Sequence, residues 1–196
     1  MRRRVVAYAA FAAFAIVLAW ILFVALPRRY AAKPAAGPAA AQAVAPATPQ
    51  RKITATLYFI SQDGLSLVGT QREVPFGEPV LEQARQILEA QLAEPPAPLA
   101  SPIPAGTRLR ALYITERGEA FVDLSGDART KHTGGALDEL FTVYAIVDAL
   151  TVNLPAIARV QILVDGKEVD TLAGHVDLRH PLQKSLKWVK SEKESS

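Results

Sequence analysis

Three histidines, two pairs of aspartates, one serine behind a glycine and one Gly-Gly step are the residues whose types and spacing could do chemistry. His175 and His180 form an H-x4-H pair with Asp177 between them, and His132 lies upstream. Two imidazoles and a carboxylate near a strand end are zinc ligands by type. The spacing matches no strong zinc pattern, and polar loop histidines are the plainer reading. Ser66 sits in Gly64-Leu65-Ser66-Leu67-Val68, which lacks the second glycine of a nucleophile elbow. It reads as an ordinary strand residue. Gly134-Gly135 precedes a helical pattern and could bind an anion through free N–H groups. No lysine follows, and the longer glycine pattern of a phosphate loop is missing, so helix capping is preferred.

Paired carboxylates exist in Asp123 with Asp127, and in Asp165 with Asp170. Two acids do glycoside chemistry only when they face one cleft at a set separation. Asp123 ends a strand and Asp165 opens an Asp-Gly turn, both ordinary structural posts for aspartate. The chain has no cysteine. That removes disulfides, thiolate zinc sites, iron–sulfur clusters, cysteine nucleophiles and a lipidated N-terminal cysteine. The expectation is therefore no enzyme, with no catalytic, cofactor or metal residue, and no binding residue is singled out.

The elements that would position these residues begin at Ile53. Residues 53–60 are β-branched and aromatic, with Ile53, Ala55, Leu57 and Phe59 on one face. Asp63-Gly64 marks a turn, and Leu65 to Val74 returns. Val80, Leu81, Ala84, Ile87, Leu88, Gln91 and Leu92 recur at helical spacing, between Pro79 and Pro95-Pro96. A proline-rich loop over 94–107 leads to strands at 108–115 and 119–125, joined by Glu116-Arg117-Gly118 into a hairpin. A second helix, about Ala136 to Val152, opens after Thr133-Gly134-Gly135. It is apolar around much of its circumference, so it packs on more than one side or covers a sheet broadly. A strand at 158–164, the Asp165-Gly166 turn and a partner strand at 167–172 follow. The order β-β-α-β-β-α-β-β reads as α+β: a mixed or antiparallel sheet built from hairpins, with two helices packed on one face.

The chain before this region is of another kind. Residues 5–26, Val5 to Leu26, carry no charge and as a helix would span about 33 Å, enough to cross a hydrocarbon core of about 30 Å. The run is too long for a cleaved signal peptide, and Pro27-Arg28-Arg29 stands where a cleavage site would follow. A single-pass signal-anchor transmembrane helix fits it, behind a basic N-terminus at 1–4. Positive-inside arithmetic favours a cytoplasmic N-terminus only narrowly. Residues 27–50 hold ten alanines and five prolines and read as a linker. Residues 183–196 read as a flexible tail.

Charge follows the same division. Six of the 22 basic residues (Arg2, Arg3, Arg4, Arg28, Arg29 and Lys33) lie in residues 1–50, which hold no acid. The remaining 16 against 19 acids leave the rest of the chain at −3. A nucleic-acid partner would need the positive charge on the folded part, so none is expected.

The ordered motifs of residues 53–182 resemble the GerMN domain, named from sporulation and spore-germination proteins. TLYF at 56–59 with Asp63-Gly64 is similar to its opening strand and turn. SPIPAGTRL at 101–109 is similar to its proline-glycine loop, and GEAFVDLS at 118–125 to its central strand. GGALDELFTVYAIVDALT at 134–151 resembles its second helix, and VQILVDGKEVDTLAG at 160–174 its closing hairpin. The chain departs from the family pattern in lacking a lipoprotein cysteine, in holding one copy, and in placing Asp148 inside the second helix.

The resemblance implies a GerMN-like domain at 51–182, extracytoplasmic or periplasmic, single-pass in the cytoplasmic (inner) membrane with the N-terminus inside. It implies a non-catalytic scaffold acting through a protein partner or self-association, in envelope or sporulation-related assembly, with the membrane engaged through Val5 to Leu26. A module for cell-wall glycan or another ligand is the alternative, and an envelope hydrolase using paired carboxylates ranks behind it.

Overall fold

The computed structural model describes residues 51–190, and Trp20 apart from them. The apolar run at 5–26, the linker at 27–50 and residues 191–196 are otherwise outside the described residues. Among the described residues no helix is long and apolar enough to cross a membrane.

The chain forms β1 (Lys52–Ile60), β2 (Leu67–Pro75), α1 (Val80–Leu92), β3 (Leu109–Ile114), β4 (Glu119–Leu124) and a short α2 (Asp127–Thr130). There follow α3 (Ala136–Asn153), β5 (Arg159–Val164), β6 (Lys167–Glu168), β7 (Leu182–Gln183) and a 3-10 turn at Leu186–Trp188. The α+β class and the ββαββαββ order stand, but the strands divide into two sheets. β1 and β2 form an antiparallel pair, with Lys52 opposite Pro75 and Ile60 opposite Leu67. β3, β4, β5 and β6 lie in that order, and β7 also pairs with β5. β4 and β5 are parallel, because α3 carries the chain across between them.

The separate sheets explain the apolar breadth of α3. Phe141, Val143, Ala145, Ile146, Val147, Ala149 and Leu150 are all fully buried. The helix touches β1 of the small sheet and β5 of the large one. Expecting both helices on one face of one sheet missed this: α3 supplies apolar surface to two sheets, so neither must extend into the other. Burying a side chain such as Phe141 or Leu150 contributes about 1.5–3 kcal/mol.

The turns follow their residues. Asp165 and Gly166 both hold positive φ, 52° and 75°, the backbone that a tight hairpin of right-twisted strands needs. Gly118 has φ 76°, and an added Cβ would lie 2.5 Å from the Ala156 carbonyl oxygen. The partner strand expected over 167–172 is only two residues long. Beyond it the chain leaves the ladder, and Glu139 accepts the backbone N–H groups of Leu172, Ala173 and His175.

Residues 183–190 differ from the flexible tail expected there. The Lys190 N–H donates to the Leu67 carbonyl at 2.7 Å, and the Ser185 N–H donates to Asp148 Oδ1 at 2.9 Å. Val189 bridges Leu67 in parallel. Lysine and serine content suggested fraying, but backbone bonds to β2 and α3 hold this stretch.

Candidate functional site

The candidate residues take up structural posts, and each post has a visible reason. His132 follows α2. Its Nδ1 accepts the Gly134 N–H at 3.1 Å, so the ring proton is assigned to Nε2, which donates to Thr142 Oγ1 at 3.2 Å. Thr142 in turn donates to the Pro102 carbonyl, tying the proline-rich loop to α3. Gly134 and Gly135 hold φ 84° and 94°. Gly135 is the N-cap of α3, as the capping reading required.

His175 and Asp177 do not converge on a shared ligand site. His175 donates its backbone N–H to Glu139 Oε2 at 2.7 Å, with Nδ1 3.2 Å from the same oxygen. Asp177 is clasped by Arg179, Nε to Oδ1 at 2.9 Å and Nη2 to Oδ2 at 2.7 Å, which holds its carboxyl well below the usual range. His180 is exposed. Among the described residues no three His, Asp or Glu side chains gather in a way that would hold a metal ion. Ser66 bonds through its hydroxyl to Ser61 Oγ at 3.0 Å, inside the β1–β2 turn.

The acid pairs suggested by sequence separate, and a different pair meets. Asp127 pairs with Lys131 at 3.0 Å, and Asp170 is exposed on the far side of the β5–β6 turn. Asp123 and Asp165 instead approach one guanidinium: Arg110 Nη1 donates to Asp165 Oδ1 at 2.7 Å, and its Nε lies 3.8 Å from Asp123 Oδ2. Each carboxylate also accepts a backbone N–H. Gly166 donates to Asp123 Oδ1 at 2.7 Å, and Gly126 donates to Asp165 Oδ1 at 3.1 Å. The cluster locks the β5–β6 turn onto the ends of β3 and β4. Beside it lies an open cleft of about 540 Å³ walled by Arg129, Val164, Lys167 and Leu172.

Sequence reasoning missed the strongest polar braces. Glu139, in the first turn of α3, is fully buried. Its Oε1 accepts the N–H groups of Leu172 and Ala173 at 2.6 and 2.9 Å. Burial pushes this carboxyl up, but the backbone donors of Ala173, His175, Leu172 and Val176 outweigh it and leave it below its ordinary value. The signal was an acid at a first-turn position facing inward. Asp148 is also fully buried; its Oδ1 accepts Ser185, and among the described residues Oδ2 has no partner. Burial pushes the Asp148 carboxyl up to about 6, against the Ser185 N–H and the Lys184 charge that pull it down. Burial first, and the Asp148 charge second, push Tyr58 up to about 12.

Two amides close one edge of the small sheet. The Tyr58 N–H donates to Gln91 Oε1, and Gln91 Nε2 donates back to the Tyr58 carbonyl, both at 2.8 Å. Asn153 does the same for Thr56, again at 2.8 Å each way. Ile60 is bonded to Ala100. The outer backbone of β1 at Thr56, Tyr58 and Ile60 is thus satisfied by α1, α3 and a loop. In an antiparallel pair the outward residues alternate. With Thr56, Tyr58 and Ile60 facing away from β2, the register turns Leu67, Gly69, Gln71 and Glu73 of β2 away from β1. Leu67 is taken by Lys190, which confirms the phase. Gly69, Gln71 and Glu73 are exposed. Among the described residues this stretch of β2 is an open edge.

Residues 56–170 match a family model described as "Germane: Sporulation and spore germination". The chain belongs to the Germane family. Solved structures agree with this assignment. A Clostridium perfringens protein assigned as a lipoprotein is 27% identical, with a TM-score of 0.50 over 68% of this chain and 88% of that one. The tandem GerMN domains of the sporulation protein GerM from Bacillus subtilis are 23% identical, with a TM-score of 0.55 over 70% of this chain and 47% of that one. The first GerMN domain of the same protein is 22% identical, with a TM-score of 0.51 over 69% and 98%. The GerM likenesses show the fold, and this chain spans about half of the tandem structure. Among curated proteins none matches the chain. The Germane match ends at Asp170, so the Glu139-held loop and the stretch at 182–190 lie outside it.

Proposed function

We propose that this Germane protein is a membrane-anchored, extracytoplasmic module that works by protein contact, in envelope or sporulation-related assembly, and not by catalysis. In this reading Val5 to Leu26 spans the cytoplasmic membrane with the N-terminus inside, 27–50 spaces the domain from the bilayer, and 51–182 makes the contacts. The observation that carries it is the asymmetry of the small sheet. The β1 edge is closed by Gln91, Asn153 and Ala100, and the β2 edge presents Gly69, Gln71 and Glu73. Open edges accept a strand from a partner or a second copy, with main-chain hydrogen bonds supplying the affinity. The polar candidates support the same reading, since Asp123, Asp165, Glu139 and His132 are committed to backbone groups. The likeness to a protein assigned as a lipoprotein supports display at a membrane surface.

The test is in-cell photo-crosslinking from Gln71, with Glu89 on the exposed side of α1 as a comparison position. The expected result is an adduct from Gln71, to an envelope protein or to a second copy, that disappears with Val164→Asp, which breaks the core. Equal adducts from both positions, or capture of glycan fragments alone, would overturn the edge reading.

A further inference from the structure

The pole of the domain at the β1–β2 turn, opposite Lys52, carries an apolar patch flanked by Lys187 and Lys190. Leu65 in that turn is 71% exposed, Leu186 is 47% exposed and Trp188 is 38% exposed. A shallow cleft of about 350 Å³ adjoins them, walled by Asp63, Leu65, Ser66, Lys187, Trp188 and Lys190. The segment is not loose: Ser185 is held by Asp148, Val189 by Leu186 and Lys190 by Leu67. Its backbone is therefore held in place. From Leu178 to Lys190 the chain holds Arg179, Lys184, Lys187 and Lys190 and no acid. Among the described residues the acid lining this cleft is Asp63, 3.6 Å from Lys190, and Glu192 and Glu194 follow in the sequence.

We propose that this pole docks onto an anionic lipid bilayer. A tryptophan with a half-open indole suits the headgroup layer, and leucines beside it suit the acyl boundary. Exposed lysines near an anionic leaflet each strengthen attachment by about fivefold. A stable protein interface uses about 20–30 residues a side, and this footprint is much smaller. A small footprint is effective where a tether already concentrates the surface. That condition rests on the anchor reading above. The linker at 27–50 can extend to about 74 Å as a proline-rich chain. The patch lies one hairpin length from Lys52, about 30 Å. The reach of the tether thus exceeds the distance from Lys52 to the patch.

Trp20 and Trp188 are the two tryptophans of the chain. The full-length Trp20→Phe protein makes Trp188 a single reporter. It is reconstituted in vesicles of phosphatidylcholine alone or with phosphatidylglycerol, each with brominated lipid as a quencher. The expected result is strong quenching of Trp188 in the anionic vesicles, little in the neutral ones, and release at high salt. Lys187→Gln with Lys190→Gln should weaken docking by about 25-fold and leave the circular dichroism unchanged. Trp188 that stays unquenched in anionic vesicles overturns the proposal, as does quenching indifferent to lipid charge and to both lysines. Shielding of Trp188 by protein in cells, with no quenching in vesicles, assigns the patch to a protein and also overturns it. Flotation with vesicles at high salt reads the anchor by itself. If flotation fails, the anchor reading falls, and quenching by the same vesicles added from outside still decides the docking.

Discussion

Asp148→Asn is the substitution whose effect follows most directly from the structure. The carboxyl is fully buried, accepts one N–H from Ser185, and faces Tyr58 from β1, Tyr144 on its own helix and Lys184 from the C-terminal stretch. Burial raises it from 3.8 to about 6. The folded state therefore binds this proton more tightly than the unfolded chain does. The stability that comes with protonation is complete below about pH 4, and it is lost as pH rises through about 6. A shift of about two units corresponds to about 3 kcal/mol. The introduced amide would keep the Ser185 bond and carry no charge, so this pH dependence disappears. Its NH2 would sit where Oδ2 has no partner, at a constant cost of about 1–3 kcal/mol. The assay is urea unfolding of the full-length chain in mild detergent, read by far-ultraviolet circular dichroism from pH 4 to pH 8. The wild type should gain about 2–3 kcal/mol on the variant as pH falls across that range. Glu139, Asp63 and Asp177 titrate in the opposite sense but are common to both proteins, so they cancel in the difference. Parallel curves for the two proteins would refute the reasoning.

Three further substitutions test the braces. Glu139→Gln should destabilise the domain by about 2–4 kcal/mol, since it weakens charge-assisted bonds to Leu172, Ala173 and His175. Limited proteolysis should then cut first within residues 171–176, and an unchanged cleavage pattern would count against the clamp. The Glu139 contribution is present above its ordinary pKa and lost as pH falls through the lowered one, so the penalty should shrink in acid. Gln91→Leu leaves the Tyr58 N–H and carbonyl buried without partners and should cost about 2–5 kcal/mol in urea unfolding, whereas a loss below about 1 kcal/mol would show that water replaces the amide. Gly118→Ala forces a Cβ against the Ala156 carbonyl at positive φ, and a clear drop in melting temperature is expected; an unchanged one would mean that the turn relaxes.

Much of the fold was legible because local signals agreed. Asp165-Gly166 specified its turn, and Pro79 and Pro95 bracketed α1. The apolar circumference of α3 pointed to packing on more than one side, and the structure supplies the second sheet. What stayed hidden depends on groups distant in sequence. Glu139 lies in the first turn of α3, where an acid suits the helix dipole, yet its partners lie more than 30 residues away. Gln91 entered the helical stripe as a polar member, and only the neighbouring strand reveals it as a surrogate ladder partner. The segment at 183–190 read as frayed because composition does not report backbone bonds to Leu67 and Asp148. Asp123 and Asp165 are far apart in the sequence, and the parallel pairing of β4 with β5 brings them to one arginine.

The proposed placement of the domain outside the cytoplasm underlies both the contact reading and the proposed docking pole, and one labelling experiment tests it. The chain has no cysteine, so Glu116→Cys in the exposed β3–β4 turn introduces a unique thiol. Intact cells that express this full-length variant are treated with a membrane-impermeant maleimide, before and after permeabilisation of the cytoplasmic membrane. Full labelling in intact cells is the expected result. Labelling only after the cytoplasmic membrane is opened would place the domain inside and contradict the account.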